Sequence, residues 1–207
     1  MKTFQTVPWN HTQCRQELDD FRRLLAQRAV LKEREDLLPF FRSHLHLSAF
    51  VGSYHTNVVR YDLVAHEYDL FGDFTCDLVA GDSRRHAYVF LEFEDAGADS
   101  IFVKKKGKTT SEWSPRFEHG FSQIVDWFYK LNDMEKTAEF EERFGKPHIE
   151  YMGLLVIGKG QTLKPGELHR LQWRQEKVLI NSNKVHCITF DQLYQDLLER
   201  LDAFPKS

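Results

Sequence analysis

Two apolar, β-type runs lie only a few residues apart, and they constrain this chain more than any other feature. "DFTCDLVAGD" (73–82) alternates and closes in a turn around Gly81 and Asp82. "HAYVFLEFED" (86–95) follows almost at once. A parallel pairing needs a crossover of about a dozen residues or more, so these runs pair antiparallel, as a hairpin. The β-branched and aromatic "NVVRYDLV" (57–64) just upstream extends the hairpin to a three-stranded meander.

The second run also poses a chemical problem. Tyr88, Val89, Phe90 and Leu91 read as a buried strand, yet Glu92, Glu94 and Asp95 follow directly. On a strand, Glu92 and Glu94 share one face with Tyr88 and Phe90, about 6.5–7 Å apart. Asp77, in the apolar context "TCDLV", sits on the partner strand and can be brought alongside Glu92. Two unit charges at that separation repel by about 2–3 kcal/mol at an effective dielectric of 20. Desolvation adds to this. Protons or a cation must relieve it, and Mg²⁺ (or Mn²⁺) suits a site with few protein oxygen ligands. The same acids are also compatible with a solvated strand end, which is where carboxylates commonly lie.

The rest of the chain supplies helices. Leu18, Phe21, Leu25 and Ala29 fall at helical spacing between Arg15 and Val30, and the pattern runs on from Leu31 to Phe41, where Pro39 is expected to break it. "SAFVGSY" interrupts around Gly52. "IFVKKKGKTTSEW" reads as an exposed loop. Ser114 and Pro115 are a good N-cap and first helical residue for a long helix with Phe117, Phe121, Ile124, Phe128 and Leu131 on one stripe. Gly120 within it permits close packing on the sheet. Gln123 and Trp127 lie one turn apart beside that stripe. A buried strand ("EYMGLLVIGKG"), a helix ("KPGELHRLQWRQEK"), a short strand ("KVHCITF") and an amphipathic helix ("DQLYQDLLERLDAF") complete the order. A hairpin-rich start followed by alternation predicts an α/β fold: a mixed sheet with helices on both sides. The expectation is one domain over 1–207, with a helical lead-in (1–50) and a sheet-and-helix core (57–207).

Composition bounds the function. A net charge of -3 gives no overall basic signal, so any nucleic-acid site must be a local patch. Cys14, Cys76 and Cys187 are odd in number and far apart, with neither metal-ligand nor disulfide spacing, which suits a reducing cytoplasm. No run approaches a membrane span. A soluble cytoplasmic protein with no membrane partner is expected.

Taken together, "DFTCDLV…YVFLEFEDAG…EWSPRFEHGFSQIVDWF" resembles the catalytic domain of the Shedu anti-phage immune nucleases, of the PD-(D/E)XK superfamily. The segment from Glu112 to Phe128 is the most distinctive, and the upstream "LLAQRAVLKEREDLLPFF" looks like the helical lead-in of the same domain. The resemblance implies a restriction-endonuclease-like core and a Mg²⁺-dependent deoxyribonuclease acting on DNA. Asp77 would match the motif aspartate, Glu92 the second acid and Gln123 the helix glutamine, with Asp77, Glu92 and Glu94 holding the metal. The motif lysine is replaced by Glu94, which some active members of the superfamily use as a further ligand or general base. Lys104, Lys105, Lys106 or Lys108 could supply a lysine instead, unless the cluster is only a solvated loop. Arg116 and His119 are candidates for phosphate contact, and Trp113 and Trp127 for base stacking. Glu33 or Glu35 could reach the metal from an early helix. A degenerate fold that binds nucleic acid, a nucleotide or a phage protein is the alternative. Shedu proteins commonly carry a variable sensor, so a homo-oligomer, a separate sensor or a phage-derived trigger is an open partner.

Overall fold

The computed structural model describes residues 3–180 and 183–203. In chain order the strands are β1 (Gln5–Thr6), β2 (Leu63–Leu70), β3 (Phe74–Asp82), β4 (Ala87–Phe93), β5 (Phe102–Val103), β6 (Glu112–Trp113), β7 (Glu150–Val156), β8 (Leu179–Ile180) and β9 (Asn183–Ile188). The α-helices are α1 (His11–Gln27), α2 (Leu38–Ser43), α3 (Leu45–Phe50), α4 (Pro115–Met134), α5 (Ala138–Phe144), α6 (Pro165–Lys177) and α7 (Phe190–Asp202). Seven strands form one sheet in the order β1-β2-β3-β4-β7-β9-β8; β5 and β6 pair separately. The meander β2–β3–β4 is antiparallel, whereas β4–β7 and β7–β9 are parallel. This is the mixed sheet flanked by helices that the sequence predicts.

The alternation of β4 explains the two cores. Ala87, Val89, Leu91 and Phe93 point to one face, under α1, α2, α3 and α7. Tyr88 and Phe90 point to the other, under α4, α5 and α6. Helix α4 starts where the sequence says it must: Ser114 Oγ accepts the Phe117 N–H at 2.9 Å, and Pro115 takes the first helical position. It approaches the sheet closely because Gly153 on β7 leaves room for Ile124. A Cβ at Gly153 would lie 2.4 Å from Ile124 Cγ2, and one at Gly120 only 2.7 Å from Leu155 Cδ1 and 3.1 Å from Glu94 Cγ.

Three expectations change. Residues 57–62 form no strand, although they continue into β2. The buried carboxylate of Asp82 accepts the N–H groups of Val59 and Arg60 (3.0 and 2.9 Å), so those donors are unavailable for a ladder. The segment 31–41 is not one helix broken by Pro39. Leu31 makes a two-way backbone bridge with Ala96, a π-helical turn spans Glu33–Leu37, and Pro39 lies in the first turn of α2, where its missing N–H costs nothing. The lysine-rich loop is the tip of the β5–β6 hairpin. The strand β1, helix α5 and strand β8 escaped the sequence reading. All three cysteines are free and buried. Among the described residues, no helix is long and apolar enough to cross a membrane.

Candidate active site

The β3–β4 ladder pairs Leu78 with Leu91. Continuing that register by one residue sets Asp77 across from Glu92. Asp77 Oδ2 accepts the Phe93 N–H at 2.8 Å, which ties the acid to the end of β4. Because Leu78 and Leu91 face the first core, Asp77 and Glu92 face α4 on the second, beside Phe90. There they line a cavity of about 430 Å³ with Gln123 and His119 from α4, Glu33 from the π-turn and Glu67 from β2. Glu67 stands between the paired positions His66–Leu78 and Tyr68–Cys76 with a left-handed backbone (φ 47°), a conformation that costs energy for a non-glycine residue. Its carboxylate meets Arg42 at 2.7 Å.

Burial is the first cause that raises the pKa of Glu92, and repulsion from Asp77, Glu94 and Glu33 adds to it. A hydrogen bond with Gln123 works against the shift. Burial also raises Asp77, where Glu33, Glu94 and Glu67 repel and the Phe93 N–H partly offsets them. Glu33 is raised by burial and then by Glu94. One oxygen of Glu92 (Oε2) and the carbonyl oxygen of Gln123 (Oε1) are buried without a hydrogen-bond partner. Two such orphaned acceptors lining one cavity are an unusual cost in a folded chain.

Glu94 behaves differently. Only 3% exposed, it binds Arg116 Nη1 at 2.8 Å through Oε2 and His119 Nδ1 at 3.2 Å through Oε1. It lines a second cavity, of about 770 Å³, which meets the first at Glu33 and His119. Asp95 lines the larger cavity. Burial alone would raise its pKa, but Lys32 Nζ (2.8 Å), the Glu33 N–H (2.9 Å) and Arg116 hold it below the ordinary value. The same bonds carry Glu33 to the site.

Among the described residues, no three His, Cys, Asp or Glu side chains converge closely enough to hold one ion. Asp77 and Glu92 share a cavity, while Glu94 is engaged by Arg116 and His119, so the expected trio does not close around a single point. The donor set still fits Mg²⁺ or Mn²⁺. Asp77, Glu92 and the free Gln123 carbonyl oxygen are hard oxygen ligands, and Mg²⁺ binds through one or two carboxylates while keeping several waters.

The remaining candidates separate. Arg116 and His119 reach the rim of the site. Lys104 and Lys106 are exposed on the β5–β6 hairpin, where Lys105 and Lys108 both bind Glu112. The bases lining the Asp77 cavity are instead Arg34 and Arg42, which the sequence reading missed. Trp127 corrects an expectation: it is 0% exposed in the second core and cannot stack on a base. Helix α4 packs on β2, β4 and β7 together, so its buried arc is wider than one stripe. Glu35 is exposed and lines neither cavity.

No curated protein matches the chain. The family model described as "Shedu protein SduA, C-terminal" matches residues 31–194, a span that runs from the π-turn carrying Glu33 through the hairpin and α4 into α7. With that match covering most of its length, the chain belongs to the Shedu SduA C-terminal family.

Proposed function

We propose that this chain is a metal-dependent nuclease that hydrolyses DNA phosphodiester bonds, in the anti-phage role its family suggests. The observation that carries the reading is the pair of buried, partnerless acceptors, Glu92 Oε2 and Gln123 Oε1, in a cavity where Asp77 adds a second carboxylate of raised pKa. A fold retains such a group when something absent from the chain satisfies it. Asp77 and Glu92 would hold Mg²⁺ or Mn²⁺. The ion, when bound, neutralises charge on the phosphoryl oxygens and acidifies a water. Gln123 orients that water or the scissile phosphate through its amide. Arg116 and His119, held at the rim by Glu94, offer donors to a phosphate oxygen. Glu94 acts through these two side chains in place of the lysine of the superfamily motif. The exposed Lys104 and Lys106 give sequence-independent contact with the DNA backbone.

The test is plasmid cleavage in Mg²⁺ and in Mn²⁺ by the protein and by Asp77→Asn and Glu92→Gln. Cleavage by the parent that both variants lack supports the assignment; cleavage retained in both removes it. One observation favours a second reading, a non-cleaving nucleic-acid-binding fold: Glu94 stands at the motif lysine and is tied to Arg116 and His119. That reading expects DNA binding, with no cleavage in either metal.

A further inference from the structure

On the flank of α4 away from the acids lies a groove of about 480 Å³, lined by Trp113, His169, Arg170, Trp173, Arg174 and Val178. Trp173 is 56% exposed on α6. Behind it, Phe102, Trp113 and Phe117 form a stacked ladder, with ring centroids 4.4 and 4.5 Å apart. Arg170 lies over Phe102 and Trp113, and Arg174 lies over Phe121, Phe117 and Trp113. The guanidiniums are also tethered, Arg170 to the Ser111 carbonyl at 2.6 Å and Arg174 to Glu118 at 2.7 and 2.8 Å. The groove is therefore preorganised: rigid aromatic walls, fixed cations and one large indole left in solvent.

The charge around it runs against the rest of the chain. Hairpin residues 103–113 carry four lysines against one acid, and residues 164–177 carry four bases against two acids, a net charge of +5 on a chain whose total is -3. Arg170 and the Ser111–Glu167 hydrogen bond dock that hairpin onto α6, so its lysines and the groove form one basic band. The band adjoins the acidic cavity: Glu118, which holds Arg174, precedes His119 on α4, and Val103 of the hairpin lines the larger cavity.

We propose that this groove binds an unpaired stretch of DNA, with one base stacked on Trp173 and the flanking phosphates against the arginines and the hairpin lysines. A positive groove lined by aromatic rings is the general means of binding single strands, because every base offers a face to stack and the backbone supplies the charge. The positive band, continuous with exposed aromatic surface, argues for a polyanion that also offers faces to stack. The proposal deepens the nuclease reading by giving the substrate a single-stranded segment beside the cutting site, and it rests on that reading only for the purpose of the binding.

Binding of a labelled oligo(dT) and of a labelled duplex is measured by anisotropy in EDTA, so that cleavage plays no part. Trp173→Ala is expected to weaken oligo(dT) binding about tenfold while changing duplex binding little, and Trp173→Phe to restore most of it. Equal oligo(dT) affinity in the parent and Trp173→Ala overturns the proposal. So does a parent dimer, seen by light scattering, that Trp173→Ala converts to monomer. Loss of plasmid cleavage in Asp77→Asn with oligo(dT) binding intact leaves the groove standing, and an uncleaved plasmid with Trp173-dependent binding removes the nuclease reading alone.

Discussion

The two ends of the β3–β4 hairpin carry buried acids with opposite fates. At the turn, Asp82 is fully buried, and its carboxylate accepts the N–H groups of Val59, Arg60, Arg84 and Arg85, all at 2.9–3.0 Å. Burial alone would raise its pKa, but those four donors bring it below the ordinary value. At the open end, Glu92 is as deeply placed (6% exposed) yet keeps an oxygen with no donor, and its pKa is pushed up. Burial is thus no guide to role. A buried carboxylate whose acceptors are filled by the chain's own backbone serves the scaffold; one left unfilled calls for a donor the described residues do not supply, such as a water, an ion or a ligand.

The sharpest way to break this contrast is to neutralise each end. Asp77→Asn and Glu92→Gln are expected to lower metal-dependent cleavage by on the order of 10³-fold, measured as plasmid nicking, with the melting temperature of the metal-free protein unchanged or higher. Asp82→Ala should do the reverse. Four backbone donors lose their acceptor, and denaturant unfolding should show a loss of about 3 kcal/mol or more. If the Glu92 variant melts like the Asp82 variant, the open end is scaffold too.

The pH dependence comes next in size. The folded pKa values of Asp77 and Glu92 lie above those of the unfolded chain, so the folded state holds more protons between them. Their contribution is therefore full at low pH and is lost as pH rises past about 4 toward the folded values. The melting temperature of the metal-free protein should fall by about 3 °C or more from pH 5 to pH 8. The slope should flatten in an Asp77→Asn, Glu92→Gln double variant. Mn²⁺ should raise the melting temperature more at pH 8 than at pH 5, which differential scanning fluorimetry reads directly. Asp82 carries the opposite sign, so its stabilisation fades only in acid.

The smallest effect tests how closely α4 is pressed onto the site. Gly120→Ala brings a methyl group against Leu155 and Glu94, and a cost of about 1–2 kcal/mol in unfolding is expected. A neutral result would show that α4 can lift from the sheet without disturbing Glu94.

Local chemistry made much of this molecule legible in advance. The short 82–87 connection forces the hairpin, Ser114 and Pro115 start α4, and period-two alternation sets Glu92 on the face of Phe90. Each of these follows from residues a few positions apart. Trp127 was misread because the width of a helix's buried arc depends on how many elements cover it, and α4 is covered by three strands. The alternation correctly puts Glu94 beneath α4, but period two carries no information about which donors will meet it.

Local sequence alone sets the order of the larger elements, the hairpin and the side of the sheet on which the acids stand. Those rest on backbone periodicity and capping, which act over one or two turns. Tertiary structure decided which acids are satisfied. The Leu31–Ala96 bridge and Asp95 bring Glu33 across 62 positions of chain, Arg116 and His119 claim Glu94, and Asp82 captures residues 59 and 60. Whether a carboxylate finds a donor is a question of three-dimensional neighbours, and no local pattern encodes it.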